Sequence, residues 1–279
     1  MSFVFYKYQG AGNDFLIADN REGCLHLTSE QIASLCDRRY GVGADGLMLL
    51  EKNSVYDFRM VYYNSDGSGG MMCGNGGRCM VAFAADMGIG HFDFDAADGF
   101  HTAEILASEG GVKTVRLKMK DVDSLQRYES LEGPHVPSDG TFMDTGTRHY
   151  VRFVNDLDAY DIVSEGRDIR YNARELQPVG ANVNYVEPYD GGIKVRTYEK
   201  GVEDETYACG TGIVASCIAS FDRGVEASVV FPDGRVRFDV QARRDRLSVD
   251  FRPSGVAAAE DVWLTGPAAF VAKIIVDLN

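Results

Sequence analysis

One pattern occurs twice in this 279-residue chain, and it restricts the fold more than any other feature. In the first half, VYYNSDGSGGMMCGNGGRCMVAFAA (61–85) reads as strand, turn, Cys-Gly-x-Gly, apolar helix. In the second half, VRTYEKGVEDETYACGTGIVASCIAS (195–220) reads the same way. Asn64 lies nine residues before Cys73, and Glu199 lies ten before Cys209. Two α/β units of one plan, each with a cysteine at a helix start, predict pseudo-two-fold symmetry.

The segments around the repeat are mostly strands. FVFYKYQG, GLMLLEK, YDFRMVYYN, RHYVRFVND, ANVNYVEP and GGIKVRTYEKG carry strand composition, and FVAKIIVDLN is expected to form a C-terminal strand. Hairpins are expected at Glu109-Gly110-Gly111 and at the Pro-Asp-Gly of ASVVFPDGRVRFDVQ. LTSEQIASLCDRR reads as a helix: Thr28 and Gln31 have capping-box spacing, and Ile32, Leu35 and Cys36 share a face. DIVSEGRDIRYN reads as a short helix, and Gly88 as the C-cap of the helix in RCMVAFAADMG. The polar stretch 121–140 holds two of the seven prolines and is the expected linker. Expected domains are therefore 1–120 together with a returning strand at 264–279, and 121–263.

Composition narrows the function. Hydrophobic residues make up 45% and charged residues 25%, ordinary for a globular protein. No run approaches the ~18 apolar residues of a membrane span, and the first residues lack the basic and apolar regions of a signal peptide. No membrane partner and a cytoplasmic location are expected. A net charge of −14 argues against a nucleic-acid partner, because phosphate binding needs clustered Lys and Arg. The six cysteines include no C-x-x-C pair, and the five histidines do not join them at zinc-ligand spacing. No metal is expected.

GVGADG (41–46) has the glycine spacing of a dinucleotide loop, but a helix precedes it and a strand follows, the reverse of what that loop needs. Neither Cys-Gly-x-Gly carries the Lys-Ser/Thr of a phosphate loop. A reactive thiol fits both motifs better. A helix N-terminus lowers a thiol pKa from ~8.5, and glycines beside it leave N–H groups open to an anion such as a carboxylate. Two such sites facing one ligand could remove a proton from one face of a carbon and return one to the other. The pair needs one thiolate as base and one thiol as acid. Cys36, Cys79 and Cys217 fall on apolar helix positions and read as core, and Cys24 sits in a loop. A redox or binding protein with facing thiols is the alternative of a different class.

The motifs GAGNDF, GVGADG, NSDGSGGMMCGNGGRC, GANVNYVE, RTYEKG and ACGTG occur in the order seen in diaminopimelate epimerases, and the chain resembles that family from Tyr8 to about Phe270. Proline racemases and hydroxyproline epimerases share the architecture but resemble MCGHG at the first motif, where this chain has Asn75. The resemblance implies an α+β fold of two pseudo-symmetric domains, each a mainly antiparallel sheet or barrel wrapped around a central helix. It implies a cofactor-independent isomerase that interconverts LL- and meso-2,6-diaminopimelate in lysine and peptidoglycan precursor synthesis, as a homodimer. Cys73 and Cys209 match the acid/base thiols, and His149 and Glu199 match positions that support them. Asn13, Asn64, Gly74, Asn75, Asn182, Glu199, Gly210 and Thr211 match substrate contacts, and Lys200 is placed to neutralise the distal carboxylate. The chain departs from the family pattern at Gly46, where some members have Gln, and at Thr147-Arg148, where Asn-Pro or Ser-Pro is common. It departs again at Lys200, where Arg is frequent. Arg148 is expected to compensate as an added cation. A proline- or hydroxyproline-type racemase is the nearest rival.

Overall fold

The computed structural model of the protein describes residues 2–70, 72–135, 139–255 and 258–277. Met71 of the first motif, Pro137 of the polar stretch and the last two residues of the expected C-terminal strand lie outside the described residues. The chain forms two compact units. One holds the described residues up to Leu117 and from Gly266 onward, and the other is Lys118–Thr265.

The first unit is built from β1 (Ser2–Gly10), β2 (Asn13–Asp19), β3 (Gly46–Glu51), β4 (Phe58–Asn64), β5 (Asp93–Ala96), β6 (Gly99–Glu109) and β7 (Val112–Lys118). The second contributes β8 (Leu125–Tyr128), β9 (Gly140–Asp144), β10 (Arg148–Phe153), β11 (Asn182–Tyr189), β12 (Gly192–Glu199), β13 (Asp204–Thr206), β14 (Val229–Val230), β15 (Val236–Gln241) and β16 (Arg246–Ser254). A final 20-residue strand, β17 (Ala258–Asp277), gives its first part to the second unit and its remainder to the first.

Pairing closes the first unit into a barrel. Each of β1 to β7 pairs with the next, and β17 pairs with both β7 and β1. Only β2–β3 and β4–β5 are parallel. The second unit repeats this sense strand for strand along β8–β9–β10–β11–β12–β15–β16–β17, with β10–β11 and β12–β15 as its parallel pairs. The predicted pseudo-symmetry is thus present in the hydrogen-bond pattern, and the fold is α+β with mainly antiparallel sheets.

Each sheet encloses one helix. Helix α2 (Gly74–Asp86) packs against β1, β2, β3 and β6, and α4 (Gly210–Asp222) packs against β9 to β12 and β16. Both are mainly small-residue or apolar around their circumference, as suits a helix buried all round, with Asn75 and Arg78 as buried polar residues of α2. Ser216 and Ser220, which also face the interior, return their hydroxyls to the carbonyls of Gly212 and Ser216 four residues earlier. Two amphipathic helices complete the pattern: α1 (Ser29–Cys36) between β2 and β3, and α3 (Ile162–Asn172) between β10 and β11. The capping box of α1 forms as predicted, with Gln31 N–H on Thr28 Oγ1 and Thr28 N–H on Gln31 Oε1.

The polar stretch 121–140 is not a plain linker. It contains β8, whose Leu125–Tyr128 pair with Gly140–Met143, and Val122 bridges Ala259. The division of the chain falls earlier, after Leu117.

Candidate active site

In each unit the cysteine of the repeated motif is the N-cap of the enclosed helix. Cys73 caps α2, and its Sγ accepts the Gly76 N–H at 3.2 Å. Cys209 caps α4, and its Sγ lies 3.5 Å from Thr211 Oγ1. Neither helix has an acidic residue in its first turn. The amide hydrogens there, unopposed by a carboxylate of the same turn, suit an external anion.

Around Cys73, Asn75 is buried, and its Oδ1 accepts from Arg78 Nη2 at 2.9 Å while Arg78 Nη1 donates to the Gly74 carbonyl. Arg78 is completely buried. Asn13, first residue of β2, donates to Asp45 Oδ2, and Asn64, last residue of β4, donates to Ser68 Oγ. Gly46 opens β3 without a side chain because Tyr62 fills the space: a Cβ there would lie 2.6 Å from the Tyr62 ring. A Cβ on Gly70 would meet the same ring from a second position, at 2.3 Å.

Around Cys209, the second unit assembles a polar chain that runs from buried Thr197, Asn184 and His149 out to exposed Thr147. His149 Nε2 is 2.8 Å from Thr147 Oγ1 and 2.9 Å from Thr211 Oγ1, and its Nδ1 is 3.1 Å from Asn184 Nδ2. Thr197 donates to Asn184 Oδ1, and Thr145 donates to the Thr211 carbonyl. Asn182, paired directly with His149 across β10 and β11, donates to the Arg148 carbonyl and accepts the Lys200 N–H. Glu199 accepts from Thr206 Oγ1 at 2.8 Å, at the end of β12 where Asn64 ends β4.

Comparison with known proteins gives a direct assignment. The family model for diaminopimelate epimerase matches residues 5–119 and 141–253. A diaminopimelate epimerase from Chlorobaculum tepidum is 42% identical over 268 residues, covering 94% of this chain and 96% of its own. One from Flavobacterium psychrophilum is 41% identical over 273 residues, covering 95% and 97%. The chain belongs to the diaminopimelate epimerase family. Solved structures share the fold at low identity. A hydroxyproline epimerase from Agrobacterium vitis superposes with a TM-score of 0.66 at 17% identity, covering 99% of this chain and 93% of its own. A PhzF-family phenazine biosynthesis protein from Bacillus anthracis superposes with 0.70 at 16%, covering both chains fully.

Within this family member, the positions that depart from the usual pattern have structural readings. Thr147 joins the His149 chain through its hydroxyl. Arg148, expected as an added cation, is held within its own unit. Its Nη1 donates to the Leu176 carbonyl and its guanidinium lies 4.9 Å over the Phe142 ring. Lys200 is exposed at the end of β12.

Three of the remaining thiols, Cys36, Cys79 and Cys217, stay protonated. Burial pushes Cys79 and Cys217 far up and Cys36 to about 11. Cys24 is exposed. Among the described residues, no group of three or more His, Cys, Asp or Glu is placed to hold a metal, and no helix is long and apolar enough to cross a membrane.

His149 has no exposed surface, and burial pushes its pKa from 6.5 down to about 3, against a small opposing pull from Asp144. Its ring is therefore neutral at working pH. The unfolded chain takes up this proton first as pH falls, so His149 costs stability progressively between about pH 6.5 and 3. His149→Gln is expected to lose about 2 kcal/mol less than the parent between pH 7 and pH 5. Urea unfolding at the two pH values measures this, and equal losses would contradict a buried neutral ring.

Proposed function

We propose that this protein interconverts LL-2,6-diaminopimelate and meso-2,6-diaminopimelate by two-base proton transfer at the α-carbon, with Cys73 and Cys209 as the acid/base pair. The observation that carries this reading is the matched placement of the two thiols as N-caps of enclosed helices. One thiolate takes the α-proton, the other thiol returns a proton to the opposite face, and the roles exchange with direction. Charge developing on the substrate carboxylate is met by the first-turn N–H groups of Gly74, Asn75, Gly210 and Thr211. Such preorganised donors are each worth about 3 kcal/mol in comparable anion holes.

In this reading Asn13, Asn64, Asn75 and Asn182 orient the two amino-acid ends, while Lys200 faces the distal carboxylate as a point charge. His149 and Glu199 support the thiols. The proton transfers and the charge stabilisation come from the chain's own groups, so the reading calls on no cofactor. It carries with it a cytoplasmic location, where thiols stay reduced, and the homodimer implied by the family resemblance.

The test is deuterium incorporation. In D₂O, product formed early is expected to carry solvent deuterium at the epimerised α-carbon, while recovered substrate keeps its hydrogen. Epimerisation with full retention of the original hydrogen would overturn the two-base reading. Turnover of proline without turnover of diaminopimelate would overturn the substrate.

A further inference from the structure

The polar chain behind Cys209 has a direction, and that direction follows from one side chain, Asn184. Its Nδ2 lies 3.3 Å from the Tyr150 carbonyl oxygen as well as 3.1 Å from His149 Nδ1, and its Oδ1 accepts from Thr197. A carbonyl oxygen only accepts, so the Asn184 atom facing it must be the amide nitrogen. That nitrogen only donates, so His149 Nδ1 is the bare ring nitrogen. A neutral imidazole with a bare Nδ1 carries its hydrogen on Nε2. This hydrogen points at Thr147 Oγ1 and Thr211 Oγ1, and both accept it. The two hydroxyls are hydrogen-bonded to each other at 3.1 Å, and with Thr147 as the donor of that bond the Thr211 hydrogen is left for Cys209 Sγ, 3.5 Å beyond.

We propose that Asn184 is a positioning residue for the Cys209 thiol. By fixing His149 in its Nε2–H tautomer, it turns the Thr211 hydroxyl hydrogen toward Cys209 Sγ and so favours the thiolate there. The inference rests on the acid/base role assigned to Cys209 above. Hydrogen bonds to the charged form lower a thiol pKa. The charged neighbour acting on the ring is Asp144, at the end of β9, and burial keeps the ring itself uncharged.

Packing supports the assignment independently. A Cβ at Gly212 would lie 2.3 Å from Asn184 Oδ1 and 3.3 Å from His149 Cε1. The last glycine of Cys-Gly-Thr-Gly is thus a glycine because Asn184 occupies its side-chain space. In the first unit the corresponding glycine, Gly76, faces the sulfur of Met48, two residues into β3 as Asn184 is two residues into β11. The corresponding positions thus differ in chemistry: a thioether faces the glycine after Cys73, and an amide of the polar chain faces the glycine after Cys209.

Two measurements test this without using turnover. Nitrogen NMR of the ¹⁵N-labelled parent protein should show His149 as the Nε2–H tautomer; the Nδ1–H tautomer overturns the proposal without any variant having to fold. Second, Asn184→Ala and the isosteric Thr211→Val should each slow alkylation of Cys209 by iodoacetamide at pH 7 about tenfold, one pKa unit's worth. Peptide mass spectrometry of the same samples should show Cys73 reacting at its parent rate. Because both residues act in one chain, the double variant should be no slower than either single variant. Losses that multiply to about a hundredfold would mark two separate structural injuries and overturn the relay. If Cys209→Ser kept its turnover, the acid/base role would fall while the tautomer result still stood.

Discussion

Replacing Cys73 or Cys209 with serine is expected to lower the rate of LL-diaminopimelate epimerisation by about a thousandfold or more in each case, with the thermal midpoint unchanged. General acid/base groups contribute roughly 10²–10⁴-fold, and a hydroxyl ionises too weakly to replace a thiolate. The fold should be insensitive, because each cysteine is a helix N-cap and serine is a preferred N-cap residue. Serine at position 73 can still accept the Gly76 N–H that Cys73 Sγ accepts. A loss of rate in a fully folded protein thus isolates proton transfer from architecture. Near-normal turnover by either variant would end the two-thiol mechanism.

Gly41→Ala is expected to destabilise the protein by about 3 kcal/mol, at the upper end of ordinary overpacking, and to lower the thermal midpoint by roughly 5–10 °C. GVGADG resembles a phosphate loop, but its first glycine serves the end of α1. A Cβ on Gly41 would lie 2.0 Å from the Ser34 carbonyl oxygen and 2.8 Å from that of Leu35. Those carbonyls belong to the last turn of α1, whose ends are satisfied by Val42 and Gly43 N–H on Leu35 and by Ala44 N–H on Cys36. Backbone cannot yield as a flexible side chain does, so the loop and its hydrogen bonds must shift together. Gly90→Ala, with no atom within 4 Å of its added Cβ, serves as the control. A Gly41→Ala protein melting within about a degree of the parent would refute the steric account.

The repeat was readable because it combines unlike signals: a glycine-flanked cysteine, an apolar helix after it and a strand before it. The capping box of α1 and the Gly110-Gly111 turn were readable because local chemistry decides them, and both glycines do take positive φ. β8 was hidden because Leu125–Tyr128 is polar and largely open to solvent, so it has no alternating apolar face. The start of β17 at Ala258 was missed, although the returning strand expected at 264–279 already included Gly266-Pro267. The strand runs through because its partner changes there, from β16 up to Thr265 to β7 from Gly266. At the site, the cysteines and their flanks were legible, whereas Asn184 and Arg78 were not singled out. One signal for Asn184 was available: it follows Asn182 by two in a strand, so both face one side. Nothing in the sequence marks Arg78 as buried, and only the structure shows it buried against Asn75.

β17 also sets an order of assembly during synthesis. The chain emerges from its N-terminal end, and domains generally fold in that order. Here the first unit cannot close early, because Gly266 follows Lys118 by 148 residues and only β17 joins β7 to β1. Until then β1 and β7 each wait with a row of unpaired backbone groups, the kind of edge on which neighbouring chains aggregate. The part of β17 that pairs with β16 is made first. The unit encoded second therefore has all its strands before the unit encoded first, whose β1 is paired with β2 but keeps its other edge open until β17 is made.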